Sequence, residues 1–333
     1  MRSKDKNMEI QPSVSGGEKT AGGTDRDGGK EFRTFLYIRT NPLDTGAEPL
    51  AAGLDFWVSP DITVTPPGGS PGDLATGGVM NVVDVVVRND GGVQAINATV
   101  DLFLADPSTA FTPVASDYLG TSLATIGGNS SANVPFSWTP TAQQSGHRCL
   151  LARVNSPLTG DGVVDMSIFD VVGDRHVAQR NIHVIPGAQM KKGQFRFLIT
   201  NPSKKAMRVA VAARSLDLKD RMLQGLTELL HLKRISGCIP ARFNSTVVAK
   251  GKVAEIRKKV PLGFREEVIP SDKRGTVFLK EGDQLAPDEA IVASVGVELD
   301  LAAPTGSISI IEFVQTAVGS DSPIGGLWLV VTH

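Results

Sequence analysis

The side chains able to do covalent or metal chemistry in this chain are few. They are five histidines (His147, His176, His183, His231 and His333) and two cysteines (Cys149 and Cys238). A thiol beside an imidazole can become a nucleophile when the imidazole takes its proton. His147 lies two residues before Cys149, so in a strand both would project to one face. The same spacing is also what ordinary core packing along a strand produces. No histidine stands at a zinc-type spacing from another His, Cys or Glu, because His-Glu-x-x-His and Cys-x-x-Cys are both absent. One Gly-x-Ser-x-Gly match, Gly68-Gly69-Ser70-Pro71-Gly72, falls in a Pro/Gly-rich turn rather than between a strand and a helix, and phosphate-binding loops and dinucleotide glycine motifs are absent. The sequence therefore nominates no catalytic, cofactor-binding or metal-binding residue, and the expected cofactor is none. An enzyme with an unrecognised site stays as an alternative. Its mark would be His147 or His176 meeting a carboxylate in a deep pocket.

Two charged stretches could act without covalent chemistry. Asp161, Asp165, Asp170 and Asp174 cluster in sequence, and oxygen-rich loops between strands can hold calcium. Their spacing matches no EF-hand loop, and Asp is also an ordinary turn residue, so both readings stand. The second stretch is basic: Lys250, Lys252, Arg257, Lys258, Lys259, Arg265, Lys273 and Arg274. A surface of that sign suits an anionic glycan, a nucleic acid, a membrane face or an acidic protein. Base stacking requires interleaved aromatics, and between residues 245 and 277 the only one is Phe264.

Charge is segregated along the whole chain. Residues 1–190 hold 13 Lys and Arg against 20 Asp and Glu, residues 191–280 hold 21 against 7, and residues 281–333 hold none against 8. The net charge is only −1, so the three parts can neutralise one another, within a chain or between copies. Head-to-tail pairing between copies would give a ring or a filament.

The elements that must carry these residues read as strands. Val83, Val85 and Val87 share one face of a first run, and Val100, Leu102 and Leu104 share one face of the next. Val134, Phe136 and Trp138 repeat the pattern, with Trp138 in the core, and residues 147–154 form another run. Asn89-Asp90-Gly91-Gly92 reads as a reversal in which glycine supplies left-handed backbone. Ile62 and Val64 read as an opening strand and residues 174–184 as a closing one. Strands this close together without helices between them argue for a β-sandwich.

The order Arg-Asn-Asp-Gly-Gly (88–92), Phe-Ser-Trp-Thr-Pro (136–140) and Gly-His-Arg-Cys-Leu-Leu-Ala-Arg-Val (146–154) resembles the CARDB-type immunoglobulin-like β-sandwich. The resemblance spans residues 61–185. It implies a bacterial or archaeal module for binding, spacing or adhesion, found in surface and secreted proteins, without catalytic residues.

A second β-rich domain follows Pro186-Gly187. Phe195, Phe197 and Ile199 alternate, as do Ala293, Val295, Val297, Leu299 and Leu301, and runs at 308–313 and 327–331 follow. One insertion breaks the pattern. Leu218, Met222, Leu226, Leu229 and Leu230 recur at helical spacing within residues 216–235, with Gly237 as the expected stop. The apolar stripe must cap an open end or edge of its own sandwich, or dock a partner.

The expectation is thus an all-β protein of tandem immunoglobulin-like antiparallel β-sandwiches, the second with a helical insertion. Its parts are a disordered tail over 1–30, a CARDB-like sandwich over 31–186 and a second sandwich over 187–333. The expected role is a non-catalytic structural or binding module that acts in protein–protein interaction, assembly or adhesion. The alternative is a polyanion-binding protein using residues 250–280. No apolar run approaches the roughly 20 residues of a membrane span. The first 30 residues lack the apolar core of a secretory signal, which points to a protein kept inside the cell or processed, whereas the resemblance implies the surface. Two cysteines are too few for a disulfide-stapled secreted domain, so two free thiols are expected.

Overall fold

The computed structural model describes residues 27–333, apart from residues 73, 114–115, 142–143, 145, 192, 217–219, 233, 267–281, 299, 301 and 321. Most of the expected tail, together with Leu218, Lys273, Arg274, Leu299 and Leu301, lies outside the described residues. Asp27–Phe32, at the end of that tail, forms a 3-10 helix.

The first half of the chain opens with β1 (Leu36–Tyr37), β2 (Ile62–Thr65), β3 (Leu74–Ala75), β4 (Asn81–Asn89) and β5 (Ala95–Ala105). It continues with β6 (Asp117–Ile126), β7 (Ser130–Trp138), β8 (Gly146–His147), β9 (Cys149–Ser156), β10 (Asp161–Gly162) and β11 (Val177–Arg180). The second half begins β12 (Ile182–Pro186), α1 (Gly187–Met190), β13 (Gln194–Thr200), β14 (Met207–Leu216), α2 (Asp220–Leu229) and β15 (Arg242–Lys252). It ends α3 (Val253–Lys259), β16 (Gly263–Arg265), β17 (Asp283–Leu285), β18 (Glu289–Glu298), β19 (Ile308–Ala317) and β20 (Pro323–Thr332).

Alternating valines make β4 the spine of the first sandwich. Val83, Val85 and Val87 are fully buried and the residues between them half-buried, as a two-residue period dictates. β1 and β2 lie along one edge of β4 and β7 along the other, all antiparallel. The facing sheet runs β10–β9–β5–β6, with β11 also on β9. Val100, Leu102 and Leu104 of β5 meet the β4 valines, Phe136 and Trp138 in one core. The antiparallel sandwich expected from the sequence is therefore present.

Three local expectations are corrected. The first concerns β6, which lies over residues to which the sequence reading gave no strand. It is an edge strand that turns Leu119, Ala124 and Ile126 toward the core while Tyr118 and Leu123 are exposed, so apolar residues fall on both of its faces and blur the two-residue period. The second concerns Gly91 and Gly92, which are not in the left-handed region. A Cβ on Gly91 would fall 2.1 Å from the Arg33 carbonyl oxygen, and one on Gly92 2.3 Å from that of Glu31. Close approach of the preceding segment selects glycine there.

The third correction concerns residues 174–184, which are not one closing strand. β11 pairs with β9 in the first sandwich, whereas β12 pairs parallel with β20 in the second. The chain crosses between the two bodies at Asn181.

The second sandwich stacks the sheet β12–β20–β19–β14–β17 on β15–β18–β13–β16. Phe195, Phe197 and Ile199 meet Phe313, Leu327, Leu329 and Val331 in its core. α2 is shorter than the expected 216–235, because Leu216 belongs to β14. The helix closes through paired hydrogen bonds, Leu232 N to Thr227 O (3.1 Å) and His231 N to Glu228 O (3.2 Å). His231 sits at φ +51°. This is a Schellman closure with histidine in the place glycine usually takes, so His231 rather than Gly237 is the stop. Leu226, Leu229 and Leu230 pack with Trp57, Ile182, Ile308, Trp328 and Val330. The helix thus covers the outer face of its own sheet and shares that cover with the first sandwich's Trp57.

The two bodies are joined by a buried, hydrogen-bonded contact. Asn181, fully buried, donates Nδ2–H to Ser108 O (2.6 Å) and Gly326 O (2.7 Å). Residues 107–109 lie along β13, with Leu198 N donating to Pro107 O (2.7 Å) and Thr109 N to Leu198 O (2.9 Å). Arg180, also buried, donates to Ser59 O and Leu229 O, both at 2.6 Å.

Candidate functional site

Part of the basic segment lines a cleft at the junction of the sandwiches. β12 and β16 are the terminal strands of the two sheets of the second sandwich, and both border a cavity of about 970 Å³ closed by Leu104, Ala105 and Arg148 of the first. α3 positions the charges. Ile256 is buried against Leu198, Ala290 and Val292, with Val253 and Val260 packed beside it, a helical spacing that fixes the opposite face outward. Arg257, Lys258 and Lys259 form the last turn of that helix, where the helix dipole favours cations.

Arg148, Arg257, Lys258, Lys259 and Arg265 line the cleft against the carboxylates of Asp106 and Asp117. Asp106 is held from both bodies: it pairs with Arg148, and its Oδ2 lies 2.6 Å from Arg257 Nε. Arg257 Nη2 reaches Asp117 at 3.5 Å. Arg265 Nη2 donates to Leu262 O at 2.7 Å. Lys258 and Lys259 are exposed and make no ion pair among the described residues. Val260, Leu262, Phe264, Leu230 and Leu232 add apolar surface.

Of the predicted residues, Arg257, Lys258, Lys259 and Arg265 therefore meet in one place. Lys250 and Lys252 do not line the cleft. They pair on the surface with Asp283 (2.9 Å) and Asp288 (3.3 Å) of the acidic C-terminal part. Lys273 and Arg274 lie outside the described residues. The sequence reading missed two cleft residues, Arg148 and His231. Arg148 was hidden inside a run read only for strand pattern. His231 follows a helix, and no local signal marks its left-handed backbone.

His147 and Cys149, weighed from the sequence as a nucleophile pair or as ordinary packing along a strand, do not share one strand. His147 belongs to β8, which pairs with β3, while Cys149 begins β9 in another sheet. Cys149 instead lies against Asn181 Oδ1 (2.6 Å) and His183 Nε2 (3.7 Å). The grouping of thiol, imidazole and amide is one that can do acyl-transfer chemistry. Here, however, Cys149, Asn181 and His183 are all fully buried. Burial pushes the Cys149 thiol far up, away from the thiolate a nucleophile needs. Both cysteines are free thiols.

The Asp161–Asp174 stretch is occupied by its own cations. His176 Nε2 lies 2.8 Å from Asp161 Oδ1, and its Nδ1 2.7 Å from Asp174 Oδ1. Arg175 bonds Asp161 (2.8 Å) and Glu48. Asp161 Oδ2 also accepts Leu36 N at 2.7 Å, which ties in β1. Burial would lower the His176 pKa, but the hydrogen bonds its imidazole donates to both carboxylates outweigh it and hold the imidazole above its ordinary value. Burial would likewise raise Asp161 and Asp174, and the bonds from His176 hold both below the usual carboxylate range. Asp165 and Asp170 turn away to cap Ser167 and Gly173. Glu48, Asp174 and His176 are close enough to share an ion, but each is already satisfied by this network.

A second carboxyl pair lies on the outer face of the second sandwich. Glu312 is fully buried, accepts Trp328 Nε1–H (3.1 Å) and pairs with Arg214. Burial, reinforced by the Glu312 carboxylate, pushes Asp55 up to about 7.

No protein-family model matches the chain, and no curated protein matches it. Solved structures do. The CARDB domain of a Pyrococcus furiosus protein, crystallised in complex with di-metal ions, is 21% identical and covers 38% of this chain and 88% of that one, at a TM-score of 0.24. The solution structure of that domain is 19% identical, covers 36% and 90%, and scores 0.22. Red sea bream transglutaminase is 12% identical and covers 82% of this chain and 31% of its own, at 0.21. The CARDB resemblance read from residues 61–185 thus recurs over a similar share of the chain, and it concerns the β-sandwich alone.

Proposed function

We propose that this protein is a non-catalytic binding module that holds an anionic partner in the cleft between its sandwiches. The observation that carries the reading is the lining: five cationic side chains against two carboxylates, in about 970 Å³ of concave space. Cations gathered in a cleft focus their field on whatever enters it. Arg257 and Arg148 are partly neutralised by Asp106, whereas Lys258 and Lys259 face the cleft without an ion pair among the described residues. The apolar side chains alongside suit a partner of mixed character rather than a bare inorganic ion. Cys149 and His183 are sealed in the interior and His176 is ion-paired, which supports the non-catalytic part of the reading. Assembly or adhesion, expected from the sequence, is one use of such a cleft. The charge segregation along the chain is already drawn on internally, through Arg257–Asp106, Lys250–Asp283 and Lys252–Asp288.

The test is retention of the full-length chain on poly-L-glutamate and heparin matrices at low salt. At least one matrix should retain it and release it as salt rises, and the double variant Lys258→Glu/Lys259→Glu should elute at lower salt. Wild type and variant eluting together from both matrices contradicts the reading.

A further inference from the structure

We propose that the occupant of the cleft is an acidic, extended peptide segment that adds as a strand to the outer edge of β16, the terminal strand of its sheet among the described residues. This rests on the anionic-cleft reading and deepens it. β16 ends its sheet: it pairs with β13 and with no other strand among the described residues. Gly263, Phe264 and Arg265 all line the cleft. A terminal strand presents a row of backbone donors and acceptors ready for an incoming chain.

This sheet already accepts main chain from outside its own sandwich. β16 covers β13 only at residues 194–196. Beyond that point residues 107–109 of the first sandwich take over, in a parallel bridge between Ser108 and Leu198 with backbone hydrogen bonds of 2.7 and 2.9 Å. An extended segment therefore docks by its backbone one strand position inward from the proposed site.

The side chains around β16 select the charge of the guest. Arg257 and Arg148 both hold the Asp106 carboxylate, so carboxylate is the anion these guanidinium groups are arranged to receive. Lys258 and Lys259 extend the positive wall, while Val260 and Leu262, packed against Ile256, and Phe264, packed on the core of the second sandwich, give the cleft its apolar surface. An added strand turns alternate side chains to opposite faces, so acidic residues alternating with apolar ones fit both walls. Nucleic acid fits less well, since Phe264 is the only Phe, Tyr or Trp among the described lining residues and stacking platforms need several.

The probe is an octapeptide alternating glutamate and valine, compared with a copy N-methylated at alternate backbone nitrogens, which keeps charge and side chains but removes strand-forming donors. Binding to the full-length chain is measured together with amide hydrogen exchange. The unmethylated peptide should bind, slow exchange at residues 263–265, and lose about tenfold or more in affinity on methylation, the equivalent of one to two lost hydrogen bonds. The Lys258→Glu/Lys259→Glu variant, changed only at exposed positions, should weaken it as well. Equal affinity for both peptides, or protection confined to other strands, overturns strand addition. Binding of heparin through the same lysines without binding of the peptide overturns this inference and leaves the anionic-cleft reading standing. Failure of all three probes overturns both.

Discussion

Arg257 of α3 and Asp106 of the loop after β5 meet at 2.6 Å across the junction of the sandwiches, and Asp106 also holds Arg148. One carboxylate therefore restrains two guanidinium groups that line the cleft. Asp106→Asn frees both. Affinity for poly-L-glutamate should rise severalfold, while thermal stability falls by about 1–3 kcal/mol because two partly buried cations lose their counter-charge. Unchanged or weaker binding in calorimetry contradicts the placement of these arginines at the site.

Gly325 of the second body lies with its backbone close against the Thr109 backbone of the first. A Cβ there would fall 1.8 Å from the Thr109 carbonyl oxygen, and backbone cannot move aside as a side chain would. Gly325→Ala should cost about 2–4 kcal/mol in denaturant unfolding. A cost below about 0.5 kcal/mol, the range of an ordinary surface change, contradicts the close junction.

The His176 network has a defined pH window. His176 is held above its ordinary value, so its contribution is full below about pH 6.5 and is lost as pH rises through the raised value. Asp161 and Asp174 are held below theirs, so their contribution is present above about pH 4 and is lost as pH falls through the lowered values. Between about pH 6 and about pH 9 the unfolding temperature of the wild type should fall more steeply than that of His176→Gln. Parallel curves for the two proteins contradict the network.

Asp55 titrates in the opposite sense to those aspartates. With its carboxyl pushed up to about 7 by burial and by Glu312, the folded state is favoured at low pH and loses that advantage as pH climbs toward 7. Asp55→Asn removes the charge and keeps the shape. It should be more stable than wild type above about pH 8, by on the order of 1 kcal/mol once solvent screening is allowed for, and show no such gain near pH 4. The same difference at both pH values contradicts the carboxyl pair.

His231 holds a left-handed backbone at φ +51° where α2 closes. Glycine adopts that conformation without the steric cost, so His231→Gly should raise stability by about 0.5–1 kcal/mol. A lower denaturation midpoint contradicts the closure.

Much of the fold was legible because it is written locally. Val83, Val85 and Val87, and Phe195, Phe197 and Ile199, each state a buried face within five to seven residues. Where apolar residues do not mark one buried face the pattern fails: β6 exposes Tyr118 and Leu123 while burying Ile126, and α3 hides seven residues inside a basic run. Parallel addition of β12 to β20 joins residues 182–186 to 328–332, a pairing that no local signal states. The site was half legible. Charge type located Arg257, Lys258, Lys259 and Arg265, yet Arg148 is more than a hundred residues distant in sequence and joins them only through the docking of two sandwiches.

Calorimetric titration of the full-length chain with poly-L-glutamate, wild type beside Lys258→Glu/Lys259→Glu, tests the cleft most directly. A saturable isotherm that weakens with salt, and by about tenfold or more in the variant, is the result the structure predicts. Indistinguishable isotherms for the two proteins, or no binding at low salt, would contradict it.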